Sequence, residues 1–330
     1  MRYTTFGRTG LRVSELILGA MTFGEQGGVG APLDECRRIL DAYADAGGNT
    51  VDTAINYRGG ASEEFLGELL RGRRDRFVLA SKYTVTRDAT DPNGAGNHRR
   101  NLRLSLETSL RRLATDRIDV YWVHMWDRHT PLEETMRALD DAVSAGQILY
   151  VGISDAPAWV VSRAQTLAEW RGWTPFAGLQ VPYSLLNRDA ERELLPMAAA
   201  LGLSVTAWSP LGGCILSGKY ESDLSDRARL ERSAISAHDA EVAREVGKVA
   251  RDLGVTPAQV ALAWVRSRPG ILPILGARSE AQLRDNLGCL DVTLDAAAIE
   301  RLELVTGFTA GFPTDFIAQT TPWVLGAAAL

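Results

Sequence analysis

The sequence predicts an α/β fold closed into a (β/α)8 TIM barrel, and three observations carry that reading. Eight short apolar runs rich in β-branched residues recur along the 330-residue chain, segments with helical spacing separate them, and no Pro/Ser-rich linker or charge break divides the whole. The runs are Leu16–Gly19, Thr50–Thr53, Phe77–Ser81, Ile118–Val123, Ile148–Ile153, Gly178–Val181, Ser204–Trp208 and Ile271–Leu275. Helical spacing marks Leu33–Ala46, Glu63–Leu70, Asn101–Leu113, Pro131–Ala145, Ala190–Leu201 and Pro257–Ser267. Strict strand and helix alternation implies a parallel sheet covered by helices, and eight repeats favour closure over an open sheet. Ahead of the first run, Tyr3–Gly7 and Leu11–Ser14 flank a Gly-containing turn and predict a β-hairpin placed to plug the lower end of the barrel. After the seventh strand, a weakly patterned stretch from Leu211 to Ser236 leads into a helical run ending at Leu253, and loops this long are usually functional. Residues 1–330 therefore read as one domain.

Composition narrows the function. Lys and Arg number 36 against 41 Asp and Glu, a net charge of −5, which opposes a broad basic face for nucleic acid. The arginines around Arg71–Arg76 and Arg99–Arg112 fit solvated helix faces instead. Three separated cysteines, Cys36, Cys214 and Cys289, form neither a disulfide framework nor a thiolate cluster, so a reducing cytoplasm is expected. The N-terminal stretch lacks a basic segment followed by an apolar run, and no apolar stretch is long enough for a membrane span. Gly213–Lys219 approaches a phosphate-binding loop, but Tyr220 stands where a Ser or Thr would hold magnesium. No Gly-x-Gly-x-x-Gly follows the first strand, and His124, Asp127 and His129 lack companions for a metal site, so none is expected.

In such a barrel, chemistry belongs at the C-terminal ends of the strands. Asp52 ends the second strand, Tyr57 follows in its loop, Lys82 ends the third and His124 the fourth. Singly these have bland readings: a helix cap, a rim aromatic, a solvated lysine, a satisfied core histidine. Together, on consecutive strands, they converge on one rim and read as a site. A Lys ammonium beside a tyrosine stabilises phenolate and makes Tyr57 the candidate proton donor. Asp52 would supply the counter-charge for Lys82, and His124 would donate to a substrate oxygen where negative charge develops.

At this point the sequence resembles the aldo-keto reductase superfamily over nearly its whole length, in particular the longer-chain bacterial reductases related to potassium-channel β subunits. The matching stretches are Val51-Asp52-Thr53-Ala54-Ile55-Asn56-Tyr57, Ala80-Ser81-Lys82, Asp119–His124, Trp208-Ser209-Pro210-Leu211-Gly212-Gly213, and Gly276-Ala277-Arg278 leading to Gln282 and Asn286. The resemblance implies an Asp/Tyr/Lys/His tetrad at Asp52, Tyr57, Lys82 and His124. It also implies NADPH as cofactor, with Ser154 and Gln180 on the nicotinamide carboxamide and Trp208 stacked on the ring. Ser209, Pro210, Leu211, Gly213, Ser217 and Lys219 would line the pyrophosphate, and Gly276, Arg278, Gln282 and Asn286 the adenosine end. Arg278, beside a helix N-terminus, suits the 2′-phosphate that distinguishes NADPH from NADH. Asp155 stands where many relatives carry Asn; it can still accept from an amide nitrogen, so altered cofactor geometry rather than loss of binding is expected. Cys214 replaces a frequent Gly and reads as a small apolar filler.

Met21 and Phe23 after the first strand, Met125 and Trp126 after the fourth, and the C-terminal segment Phe308–Trp323 predict an apolar mouth for an apolar or ring-shaped carbonyl substrate. The rival from another class is an NADPH-binding, redox-sensing regulatory subunit, against which the carbonyl-orienting His124 argues. A metal-dependent barrel enzyme is a second rival. Either a monomer or an oligomer is compatible with the resemblance.

Overall fold

A hairpin of β1 (Tyr3–Thr5) and β2 (Arg12–Ser14) precedes eight barrel strands: β3 (Ile17–Gly19), β4 (Thr50–Asp52), β5 (Val78–Tyr83), β6 (Ile118–Val123), β7 (Ile148–Ser154), β8 (Phe176–Pro182), β9 (Ser204–Trp208) and β10 (Ile271–Gly276). The computed structural model describes residues 1–26, 30–86, 88–219 and 235–326. Each barrel strand pairs in parallel with the next in chain order, and β10 closes on β3. The strands are mostly apolar and mostly buried because both faces are covered, by side chains inside the barrel and by helices outside.

The helical layer comprises α1 (Leu33–Asp45), α2 (Ala61–Leu69), α3 (Arg99–Arg112), α4 (Leu132–Ser144), α5 (Ala158–Arg171), α6 (Leu194–Leu201), α7 (Ala237–Leu253), α8 (Pro257–Arg266), α9 (Glu280–Leu287), α10 (Ala296–Thr306) and α11 (Thr314–Leu325). Local chemistry sets several starts. Thr256 and Gln259 form a capping box with Pro257 at the first turn of α8, and Ser279 caps α9 by accepting from Gln282 N. The continuous helix expected over Ala190–Leu201 is instead a 3₁₀ turn, Asp189–Glu191, followed by α6. Pro196 has no N–H to donate and fits only a first helical turn, which fixes where α6 begins.

The hairpin seals the N-terminal end of the barrel, as its turn chemistry predicts. Gly7 N donates to Ser204 Oγ at the start of β9 (2.8 Å), and Phe6 is driven into the interior, edge-on to Trp122 with ring centroids 6.0 Å apart. Two glycines make the space. A Cβ on Gly152 would lie 2.3 Å from the Trp122 ring, and one on Gly178 would lie 2.4 Å from the Phe6 ring. Of the long stretch after β9, residues up to Lys219 are described and include a short 3₁₀ turn, Ile215–Ser217; Tyr220 and the rest of the expected flap to residue 234 lie outside the described residues. Among the described residues, no helix is long and apolar enough to cross a membrane.

Phe6→Ala removes the stopper that Trp122 and both glycines are shaped around. It should lower stability by roughly 3–5 kcal/mol, as buried Phe truncations do, read as a lower urea midpoint at unchanged slope. A midpoint equal to that of the parent chain would show that the hairpin does not seal the interior.

Candidate active site

Register brings the strand-end residues together. Asp52 lies opposite Ala80, Lys82 opposite Trp122, Ser154 opposite Gln180, and Gln180 opposite Thr206. Side chains of paired residues in parallel strands leave the sheet on the same face, so one ring of positions converges inside the barrel mouth. Lys82 is completely buried there, one residue inside β5 rather than at its tip. Its ammonium is ion-paired with Asp52 Oδ2 and donates to Thr53 O (2.9 Å) and Tyr57 Oη (3.1 Å). Burial would lower the Lys82 pKa, but the charges of Asp52 and the Tyr57 oxygen outweigh it and hold the group above its ordinary value. Gln180 Nε2 donates to the other Asp52 oxygen at 3.2 Å.

Tyr57 and His124 meet nearly edge-on, with centroids 5.8 Å apart. Tyr57 owes its position to an unusual loop: Arg58, Gly59 and Gly60 all have left-handed φ, of 52°, 64° and 103°, and the Arg58 guanidinium donates to Met21 O and Gln26 O. Arg112 braces the same loop from behind through Ile55 O (2.9 Å). His124 is held by groups that sequence reasoning missed. Thr84, a β-branched residue at φ 91°, accepts from His124 N (3.2 Å) and donates to Asn97 Oδ1 (2.7 Å), while Asn97 Nδ2 donates to Met125 O (3.1 Å). A β-branched residue in that region is strained and persists only where its surroundings demand it. No composition or periodicity signal marks Thr84; the only trace is its place two residues after Lys82 at a strand end.

The barrel mouth opens into one cleft of about 660 Å³, with Lys82 buried behind its wall. Asp52, Tyr57, His124, Ser154, Gln180, Trp208 and Asp155 line one part of it; Ser209, Pro210, Leu211, Gly213, Ser217, Lys219, Gly276, Arg278, Gln282 and Asn286 line the other. Trp208 presents 38% of its surface, while its indole N–H donates to Asp155 Oδ1 (3.2 Å). Asp155 thus holds the aromatic platform as well as facing the cleft. The surrounding protein raises its carboxyl above the ordinary range, opposed by the Trp208 and Ser154 hydrogen bonds. Gln282 Oε1 accepts from Arg278 N (3.0 Å), and Asn286 Nδ2 donates to Gly276 O, so side chains of α9 brace the end of β10 and the loop that follows it.

Four apolar expectations divide. Met21 and Met125 line the cleft, joined by Val85. Phe23 does not: it is fully buried in the core between barrel and helices. Trp126 packs edge-on against Trp159 outside the cleft lining. The C-terminal segment also lies off the cleft, with Phe308 beneath the guanidinium groups of Arg188 and Arg192. Among the described residues, no group of three or more His, Cys, Asp or Glu side chains is placed to hold a metal.

With this geometry in view, comparison with known proteins is specific. The profile of the Aldo/keto reductase family matches residues 15–306. The chain is 40% identical over 326 residues to a norsolorinic acid reductase of Emericella nidulans, covering 94% of this chain and 83% of that protein. It is 37% identical over 337 residues to an aldo-keto reductase of the same fungus (95% and 84%), and 36% over 317 residues to an aryl-alcohol dehydrogenase of Pestalotiopsis microspora (93% and 82%). These relatives are fungal, so they do not bear out the expected kinship with bacterial reductases in particular.

Burial of the His124 ring, reinforced by the Lys82 charge, pushes its pKa down to about 3. The unfolded chain takes up this proton near its ordinary pKa of about 6.5, before the folded protein does. The stability contributed by the neutral ring is therefore intact above about pH 6.5 and is lost as pH falls toward 3. The His124 imidazole proton shifts should stay constant between about pH 5 and 8, and His124→Gln should flatten the acid limb of the stability curve. Titration of His124 near pH 6.5 would refute a neutral, buried ring.

Proposed function

The chain belongs to the aldo/keto reductase family, and from that premise we propose that it reduces an aldehyde or ketone to the alcohol with NADPH, Tyr57 delivering the proton. The observation that carries this reading is the Lys82 ammonium, backed by Asp52 and aimed at Tyr57 Oη at 3.1 Å beside His124. Tyr57 holds its proton on Oη at the cleft wall. As that proton leaves, the Lys82 ammonium offsets the charge developing on the phenolic oxygen, and Asp52 keeps the ammonium in place. His124, neutral, donates one N–H to the substrate oxygen and orients the carbonyl.

The cleft suits a phosphorylated dinucleotide by its donor set. One part offers a half-exposed indole, on which a flat ring stacks; the other offers Lys219, Arg278 and the hydroxyls of Ser209 and Ser217. Gly276 adds a steric argument, since a Cβ there would meet no protein atom within 4 Å and would project into the cleft. Ser154 and Gln180 would hold the carboxamide, Trp208 the ring, Ser209 to Lys219 the pyrophosphate, and Gly276, Arg278, Gln282 and Asn286 the adenosine end. When bound, the nicotinamide supplies the hydride.

For the substrate we read an apolar or ring-shaped carbonyl compound, an aromatic aldehyde or fused-ring ketone. Support comes from Met21, Met125 and Val85 on the cleft wall and from relatives named for norsolorinic acid and aryl alcohols. The same reading takes residues 1–330 as one domain acting in the cytoplasm. It also relates the chain to longer-chain bacterial reductases and channel β subunits, the latter through the Trp208–Leu211 stretch.

Fluorescence titration with NADPH and NADH, followed by 4-nitrobenzaldehyde or 9,10-phenanthrenequinone at about 340 nm, tests the proposal. Tight NADPH binding with turnover is expected; binding without turnover would favour a redox sensor, and no binding would overturn the reading. Tyr57→Phe keeps the ring and loses the proton, so NADPH affinity should persist while carbonyl reduction falls by about 100-fold or more. Full activity in that variant removes Tyr57 from the acid role. Arg278→Ala should weaken NADPH by roughly 10-fold or more and leave NADH nearly unchanged; equal loss for both shows that Arg278 does not read the 2′-phosphate.

A further inference from the structure

Besides Asp52, the part of the cleft around Trp208 carries a second carboxylate. Asp155 is exposed and lines the cleft together with Ser154, Gln180 and Trp208. Its hydrogen-bonding partners are neutral: Oδ1 accepts from the Trp208 indole at 3.2 Å, and Ser154 adds a side-chain hydrogen bond. Neither cancels a charge. The Lys82 ammonium favours the ionised form of Asp155 but is itself ion-paired with Asp52, and the Arg58 guanidinium donates to Met21 O and Gln26 O in the loop after β3. The His124 ring is neutral. Asp155 therefore fixes a negative charge at the edge of the half-exposed indole.

We propose that Asp155 makes the cleft select between the two redox forms of its cofactor, holding the oxidised, cationic nicotinamide more tightly than the reduced, neutral one. This deepens the reductase reading and rests on it, since Trp208 is taken as the platform for the ring. In carbonyl reduction two electrons and one hydrogen pass as hydride from NADPH to the carbonyl carbon, the Tyr57 proton goes to the oxygen, and the ring is left with one more positive charge. A carboxylate bonded to the platform thus meets a neutral ring before transfer and a cation after it. A ring seated on Trp208 displaces water from the cleft. Beside a neutral ring the carboxylate loses hydration without replacement; beside a cation it gains an opposite charge, in surroundings where attraction is stronger than in water.

No other group lining the cleft is placed to make this distinction. Ser154 and Gln180 are uncharged, Asp52 is matched by Lys82, and Lys219 and Arg278 face the part assigned to the phosphates, which both redox forms share. Tighter hold on the oxidised form lowers the potential of the bound couple by about 30 mV for each tenfold difference in affinity, so the protein draws the bound reaction toward the alcohol.

Calorimetric titration of the whole chain with NADP+ and with NADPH at pH 8, well above the ordinary carboxylate range, tests this. Asp155→Asn is isosteric, suits the left-handed backbone at φ 46° and keeps an acceptor for the indole, so it removes the charge alone. The ratio of the NADP+ to the NADPH dissociation constant should rise by about 10-fold in the variant, chiefly through weaker NADP+. Both nucleotides carry the same phosphates, so relief of a general repulsion cancels in this ratio. The fragment 2′-phospho-ADP-ribose, which lacks the ring, should change by less than about 2-fold. An unmoved ratio, or equal loss of both nucleotides as a loosened platform would give, overturns the proposal and leaves the reductase reading standing. Failure of the parent chain to bind either nucleotide overturns that reading and the proposal with it.

Discussion

A fully buried ammonium governs the mouth of this barrel. Lys82 has no exposed surface, and an isolated charge in such a place is costly enough that a lysine would ordinarily give up its proton. It keeps it because each of its three N–H directions has an acceptor: the Asp52 carboxylate, Thr53 O and Tyr57 Oη. That requirement fixes more than one side chain. β4 must lie beside β5 in a register that sets Asp52 opposite Ala80, and the loop after β4 must return Tyr57 to the ammonium before three left-handed residues, Arg58 to Gly60, turn the chain into α2. Removing either partner would leave the other charge buried alone, so the pair is more demanding than it is stabilising.

Much of this was legible because strand ends are read in a fixed way. Asp52, Lys82 and His124 stand out as polar residues at the ends of apolar β-branched runs, with Tyr57 in the loop after the first of them, and the alternation of runs and helical segments supplies the barrel that brings such ends together. The cofactor-side residues were legible only through resemblance, since nothing in their spacing distinguishes Gln282 or Asn286 from ordinary helix surface. Phe23 marks the limit of reasoning by proximity. It sits two positions from Met21, yet Phe23 N donates to Ala20 O in a turn that carries its ring into the core while Met21 stays on the cleft. Which residue of a turn faces the ligand depends on backbone dihedrals that the residue order alone does not set.

The supports behind the site were illegible for a different reason: they act through backbone groups. Thr84 serves His124 by accepting from its N–H, Asn97 serves Met125 through its carbonyl, and Arg112 serves Tyr57's loop through Ile55 O. Any residue offers these backbone atoms, so the served positions leave no pattern in the sequence. The left-handed φ of Thr84 is the conformational counterpart of that burden, a strained geometry tolerated where it orients a neighbour.

Asp155 shows how one position can answer two demands. Its φ of 46° lies in the left-handed region that Asn and Asp tolerate better than most side-chain-bearing residues, so the backbone favours either of that pair before any ligand is considered. Between the two, the carboxylate is the better acceptor for the Trp208 indole, the aromatic face that the cleft leaves half-exposed. An amide could supply a donor toward the cleft but would bond the indole more weakly. The carboxylate reverses that balance: it anchors Trp208 more firmly and offers the cleft an acceptor alone. The carboxylate therefore favours the Trp208 platform, and the Lys82 charge supports it by opposing the rise that burial imposes on the Asp155 carboxyl.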